Sequence, residues 1–144
     1  MVGIVVVSHG LIGSEMVRVA QSIVKEPPPC RMVGVSIEHD ENAERTCKKI
    51  KEAIQQVDQS DGILLLSDMF GGTPSNLCLS FLAEEKVEVI TGVNLPMLIK
   101  LLNLREKRPL SEVASFIRDY GQRNITLAGE VLKGGTHSGS KSSI

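Results

Sequence analysis

A histidine and an aspartate each follow an apolar, strand-like segment of this sequence. His9 lies two residues after the run Val2–Val7, and Asp68 lies two residues after the run at residues 62–66. A carboxylate bonded to one imidazole nitrogen fixes the tautomer of the ring and leaves the lone pair of the other nitrogen exposed. It also stabilises positive charge on the ring. If the two side chains meet, the pair predicts a nucleophilic histidine that accepts a phosphoryl group.

The segment after Asp68 suits the oxygens of such a group. Gly71 and Gly72 allow close backbone approach or positive φ, and Thr73-Pro74-Ser75 is typical of a helix start with unpaired N–H groups. A charge-assisted hydrogen bond contributes about 1.5–3 kcal/mol, against about 0.3–1 kcal/mol for a helix dipole. Hydrogen bonds set by the loop geometry are therefore expected to contribute more to binding of the phosphoryl oxygens than the helix dipole does. The segment lacks the GxxxxGK[ST] pattern, so a nucleotide site is not predicted.

Each of these features alone has an ordinary explanation. A histidine after a strand is commonly exposed or structural, and an aspartate there is commonly a turn or cap residue. A Gly-Gly-Thr-Pro run is commonly a tight turn. His39 also follows a strand, but without a glycine-rich partner, and is interpreted as a solvated turn residue. A metal site from His9, Asp68 and His39 has no supporting ligand spacing, so no metal is predicted.

The elements that must position these residues alternate along the chain. Strands are predicted at residues 2–7, 32–37, 62–66, 87–90 and 125–132, and helices at 11–24, 40–57, 73–84, 96–103 and 111–121. Asp40 and Thr73 are the predicted caps of two helices. This order predicts an α/β fold with a doubly wound, mainly parallel sheet and helices on both faces. Ligands of such folds bind at the carboxyl ends of the strands, where His9 and Asp68 fall.

Composition narrows the class of protein. The 144 residues suit one domain, and a net charge of -1 with only four aromatic residues disfavours nucleic-acid binding. No CxxC motif occurs, and no apolar run approaches the roughly 20 residues of a membrane span. We expect a cytoplasmic domain at residues 1–132, without a cofactor, followed by a mobile Gly/Ser-rich tail at 133–144.

Three segments together resemble a known family. Residues 4–10 (IVVVSHG), 67–76 (SDMFGGTPSN) and 92–97 (GVNLPM) are similar, in order and spacing, to motifs of the mannose-type IIA component of the bacterial phosphoenolpyruvate-dependent phosphotransferase system. The likeness covers about residues 1–130. Leu11-Ile12-Gly13 departs from the Ala-rich turn that is commoner in the family, and Phe70 stands where another aromatic or apolar residue is frequent. Both departures bear on partner fit, and neither removes a chemical group.

The resemblance implies a phosphotransferase that carries a phosphoryl group on His9 Nε2, with Asp68 holding Nδ1. The donor would be the histidine phosphocarrier protein HPr, and the acceptor a separate IIB component that phosphorylates sugar during uptake. Membrane contact would be indirect, through integral transport components. The resemblance also implies strand order 2-1-3-4 and a homodimer that exchanges the strand at 125–132. By motif match, Thr73 is the first candidate donor to the phosphoryl oxygens, and Ser75 and Asn94 follow.

Three alternatives stay open from the sequence. The carrier could serve regulation rather than transport. It could be the phosphoryl donor subunit of dihydroxyacetone kinase, although residues 68–74 fit the mannose type better. It could also be a non-catalytic domain that binds a small anion at the same sheet edge.

Overall fold

The computed structural model describes residues 1–69, 71–83 and 86–134, which form one four-stranded parallel sheet between two layers of helices. The strands are Gly3–His9 (β1), Met32–Ile37 (β2), Ile63–Ser67 (β3) and Val87–Thr91 (β4). The helices are Ile12–Ile23 (α1), Ala43–Val57 (α2), Thr73–Leu79 (α3), Leu95–Leu102 (α4), Leu110–Arg123 (α5) and Ala128–Gly134 (α6), and Ser80–Ala83 form a 3-10 turn. The strand order is β2-β1-β3-β4. The doubly wound fold and its strand order are confirmed.

The centre of the sheet is buried on both faces because β1 is apolar without interruption. Ile4 and Val6 lie in the cluster that packs against α1, α4 and α5. Val5 and Val7 lie in the opposite cluster with α2, α3 and the 3-10 turn. Successive strand residues point to opposite faces, so an unbroken apolar run is what a central parallel strand requires.

The register of β1 brings the two predicted site residues to one edge. Val7 pairs with Ser67 on β3, so the residues just beyond this pair, including Asp68, lie beside the end of β1. On the other side, His9 pairs with Ile37, the last residue of β2. His9, at the end of β1, therefore lies between the carboxyl ends of β2 and β3.

Two predicted helix caps differ from the structure. Asn42, not Asp40, caps α2, and its side-chain oxygen accepts a hydrogen bond from the Arg45 N–H at 2.7 Å. Gly72, not Thr73, occupies the cap position of α3, so Thr73 is the first helical residue. α3 ends at Leu79, and the 3-10 turn follows it from Ser80. Glu84, the predicted end of the helix, lies outside the described residues.

The predicted strand at residues 125–132 is wrong for this chain, because residues 128–134 form α6. A helix satisfies the hydrogen-bonding groups of its backbone within the segment itself. The segment also contains good helix formers such as Ala128 and Glu130. None of the residues of α6 is buried, and exchange of this segment between subunits stays a prediction.

Most of the predicted tail lies outside the described residues, which end at Gly134. The prediction of mobility for the tail is therefore untested, as is the boundary at residue 132. Within the part of the chain that the structure describes, no helix is both long enough and apolar enough to cross a bilayer.

Candidate functional site

The aspartate after β3 holds the histidine at the end of β1 by two hydrogen bonds. The Asp68 Oδ2 atom lies 2.7 Å from the His9 ring Nδ1 and 3.1 Å from the His9 backbone nitrogen. The Asp68 Oδ1 atom accepts a third bond, from the Met69 N–H at 3.0 Å. Because one carboxylate grips both the ring and the backbone of His9, the orientation of the imidazole is fixed relative to the sheet.

The charge of this carboxylate decides which ring nitrogen is exposed. Partial burial of Asp68 tends to raise the pKa of its carboxyl, but the hydrogen bonds from the His9 ring and backbone outweigh burial and hold that pKa below its usual value. Asp68 is therefore ionised at neutral pH and can only accept. A neutral His9 must then donate from Nδ1, which leaves the Nε2 lone pair free. The His9 side chain is 52% exposed and that of Asp68 is 15% exposed, so the ring is open to solvent.

Gly72 packs directly against the free edge of the imidazole. A Cβ atom at this position would lie 2.7 Å from His9 Cε1 and 3.0 Å from Nε2, closer than side chains approach. Gly71 requires glycine for a different reason, since its φ of +97° is in the left-handed region and nothing lies within 4 Å of a Cβ placed there. One glycine thus admits the ring, and the other makes the turn.

Ser75 braces this glycine turn from inside the protein. Its side chain is fully buried, its Oγ accepts the Gly71 N–H at 2.9 Å, and the same hydroxyl donates to the Gly72 carbonyl at 3.1 Å. The Ser75 hydroxyl therefore serves the loop. Thr73 differs because it is exposed and begins α3. The first N–H groups of a helix have no acceptor within the helix, so those of Gly72 and Thr73 suit an anion at this edge.

Asn94 uses both ends of its side chain to hold α4 against α5. The Oδ1 atom accepts the Met97 N–H at 3.2 Å as the cap of α4, and Nδ2 donates to the Gly121 carbonyl at 3.1 Å. The structure thus brings His9, Asp68, Gly71, Gly72 and Thr73 together, whereas the side chain of Asn94 is committed to packing of the helices.

His39 lies on the exposed loop after β2 and makes no hydrogen bond or ion pair with His9 or Asp68. Among the residues that the structure describes, no three His, Cys, Asp or Glu side chains are grouped so that they could hold a metal ion.

One residue at this edge, Ser8, was not predicted from the sequence. Ser8 is fully buried and its hydroxyl accepts the Gly13 N–H at 2.7 Å. A serine in an apolar strand, ahead of a helix whose start lacks a capping residue, was the available signal. Leu11 and Ile12, where the sequence departs from the family pattern, are 71% and 57% exposed just after His9, and Met69, next to Asp68, is 53% exposed. We call these three side chains the apolar patch. Phe70, the other departure from the family pattern, lies outside the described residues.

Comparison with known proteins gives a consistent result. The family model described as "EIIA-man: PTS system fructose IIA component" matches residues 3–118. The chain is 30% identical over 103 residues to the PTS system fructose-specific EIIA component of Bacillus subtilis, with 71% of this chain and 70% of the relative covered. It is 29% identical over 127 residues to the PTS system mannose-specific EIIAB component of Escherichia coli K12, covering 86% of this chain but only 38% of that longer protein.

Solved structures agree with these matches in fold. A PTS IIA protein associated with the fucose utilization operon of Streptococcus pneumoniae superposes with a TM-score of 0.74 at 27% identity, over 90% of this chain and 95% of that one. The mannose/sorbose-specific IIA subunit from Enterococcus faecalis superposes with a TM-score of 0.75 at 22% identity, over 99% and 98% of the two chains.

Proposed function

This chain belongs to the EIIA-man family of phosphotransferase-system IIA components, and from that premise we propose that it is the phosphocarrier whose His9 takes a phosphoryl group from HPr and passes it to a separate IIB component. Membership supports a role in sugar phosphotransfer and phosphotransferase activity in general. The identity of the donor, the acceptor and the histidine that carries the group is the proposal.

The single observation that carries it is the 2.7 Å contact between His9 Nδ1 and Asp68 Oδ2. An ionised carboxylate on Nδ1 leaves Nε2 as the nucleophile. In the forward step the Nε2 lone pair attacks phosphorus in line as the bond from phosphorus to the donor's histidine nitrogen breaks. The Nδ1 proton stays in place, and Asp68 balances the positive charge that develops on the ring. Transfer to IIB is the same exchange in reverse, so the protein supplies positioning and charge rather than further covalent chemistry.

The phosphoryl oxygens are held by the start of α3 in this proposal. The N–H groups of Gly72 and Thr73 and the Thr73 hydroxyl would donate to them. Ser75 would act indirectly by keeping the Gly71–Gly72 turn in shape, since its hydroxyl already bonds both glycines. Asn94 would serve only to hold α4, because both of its polar atoms are engaged there.

Partners would dock on the exposed apolar patch of Leu11, Ile12 and Met69 around the ring. Since the same Nε2 atom would receive the phosphoryl group from HPr and pass it to IIB, the two partners would use overlapping parts of this patch in turn. An apolar surface that faces water in the free protein and is covered on docking favours such an encounter.

We further propose that the chain works as a cytoplasmic homodimer. Residues 125–132 hold four exposed apolar side chains, namely Ile125 (78%), Leu127 (66%), Val131 (55%) and Leu132 (83%). Burial of such side chains against a second copy removes them from water and stabilises association. Contact with the membrane would pass through the integral transport components.

The test is phosphorylation with mass detection. Purified protein is incubated with phosphoenolpyruvate and the general phosphotransferase components, and an acid-labile gain of one phosphoryl group is expected. His9→Ala should abolish the gain, and His39→Ala, at an exposed histidine outside the site, should retain it. No gain with donors that phosphorylate another IIA protein would overturn the proposal. Binding of inorganic phosphate without covalent labelling would instead identify an anion-binding domain.

A further inference from the structure

The first turn of α1 lacks a capping side chain of its own. Leu11 occupies the cap position and makes no side-chain cap hydrogen bond. The missing acceptor comes from β1, where the Ser8 Oγ atom accepts the N–H of Gly13, the second helical residue, at 2.7 Å. Ser8 therefore does for α1 what a serine at the cap position ordinarily does.

The same hydroxyl also reaches the turn that carries His9. Its oxygen lies 3.2 Å from the His9 carbonyl oxygen and 3.3 Å from the Gly10 carbonyl oxygen. Since a hydroxyl has one hydrogen, it donates to one of these at a time. Ser8 is 0% exposed, so water has no access to replace these bonds.

Close packing keeps the hydroxyl where it is. A Cβ atom on Gly13 would lie 2.8 Å from Ser8 Oγ and 3.0 Å from a Val6 methyl carbon, so α1 comes this near only because residue 13 is glycine. The hydroxyl is thus held between α1 and the turn, where it accepts the Gly13 N–H and donates to one of the two carbonyls.

The remaining bonds of the turn complete the hold on His9. Asp68 accepts the His9 N–H at 3.1 Å, and the Gly10 N–H donates to the Ile37 carbonyl at 3.0 Å. We propose that Ser8 is a positioning residue for phosphoryl transfer, whose hydroxyl fixes the carbonyl side of the His9 turn so that Nδ1 stays on Asp68. This rests on the proposed function of His9 but concerns a residue that does not touch the phosphoryl group.

Three variants separate the hydroxyl from the volume it fills. Ser8→Ala removes it, Ser8→Cys keeps a similar volume with a much weaker acceptor, and Ser8→Thr keeps the hydroxyl. The tautomer of His9 is read from imidazole 15N chemical shifts of the unphosphorylated protein at neutral pH, and transfer rates are measured below the unfolding temperature. We expect Ala and Cys to raise the population protonated at Nε2 and to slow transfer about twofold to tenfold, as loss of one hydrogen bond predicts. Ser8→Thr should keep the wild-type tautomer of His9 and the wild-type transfer rate.

The tautomer reading keeps the two proposals distinguishable, because it needs no phosphoryl donor. If the wild-type protein takes no phosphoryl group, the function fails while the effect of Ser8 on the ring is still measured. Folded Ala and Cys variants with the wild-type tautomer would overturn the positioning role, even if transfer slowed. Failure of Thr to restore the wild-type tautomer would also contradict it. If Ser8→Ala does not fold, Ser8→Cys decides.

Discussion

Replacement of Gly72 by alanine tests the geometry of the site with one methyl group. Gly72 has φ -96° and ψ 173°, an extended conformation that alanine adopts without strain. The backbone therefore tolerates the change. Its effect must come from the new Cβ, which would lie 2.7 Å from His9 Cε1 and 3.0 Å from Nε2.

The size of the effect follows from these distances. Ordinary van der Waals contact begins at 3.4 Å, so the ring has to retreat by about 0.7 Å from the methyl group. A turn of the half-exposed His9 side chain provides this space and carries Nδ1 away from its 2.7 Å contact with Asp68. A charge-assisted hydrogen bond contributes about 1.5–3 kcal/mol, so its loss predicts transfer slowed by about 10- to 100-fold.

The assay is single-turnover phosphorylation of His9 by HPr, with thermal unfolding measured in parallel. Gly71→Ala is the matched control one residue away. It strains a backbone at φ +97° but brings no atom within 4 Å. We expect Gly71→Ala to lower stability by about 1 kcal/mol and to slow transfer less than Gly72→Ala. A Gly72→Ala protein that folds normally and transfers at the wild-type rate would refute the idea that transfer needs the ring in the position that Gly72 allows, with Nδ1 on Asp68.

Further predictions concern charge, acid, packing and association. Asp68→Asn introduces an amide that donates where only acceptors fit, so the His9 tautomer should shift in imidazole 15N spectra and transfer should slow about 10- to 100-fold in single-turnover assays. Because the pKa of Asp68 is lowered in the folded protein, its contribution to stability is present at neutral pH and is lost as pH falls below about 4. The difference in melting temperature between wild type and Asp68→Ala should shrink over that range. Leu65→Ala, at a fully buried position, should lower the unfolding free energy in urea by about 2–5 kcal/mol. Ile125→Asp with Leu132→Asp should convert the proposed dimer to monomers in sedimentation, and an unchanged mass would exclude these side chains from the interface.

Local patterns predicted most elements well because their signals are local. The run Val2–Val7 is β-branched and apolar at every position except Gly3, and only a strand buried on both faces accommodates it. Helical spacing and proline likewise located α1, which ends at Ile23, before Pro27. The position of β1 beside β3 is different. It depends on contacts between distant segments, and the resemblance to a family supplied it.

The C-terminal segment shows where local signals conflict. Residues 125–132 contain apolar residues that fit either a strand or a helix, and the choice depends on what packs against them. The helix formers of Ala128–Gly134 prevail.

The candidate site divides in the same way. The residue types of His9 and Asp68 indicate their chemistry. The rule that ligands of parallel sheets bind at the carboxyl ends of the strands places both residues at one edge. What periodicity cannot reveal is which polar atoms are already bonded. The buried hydroxyl of Ser75 and the amide of Asn94 match the family motifs, yet their bonds go to the protein itself. Their part in transfer stays a prediction, and it is now an indirect part, through the position of the loop and of α4.

The half-exposed imidazole has a consequence for timing. With 52% of the His9 side chain in contact with solvent, bulk water would reach the phosphohistidine that we propose. Between encounters, hydrolysis would compete with transfer of the phosphoryl group to the acceptor. A docked partner that excludes water from the ring would also protect the phosphoryl group. The concentration of acceptor would then set the fraction of phosphoryl groups that is lost to hydrolysis.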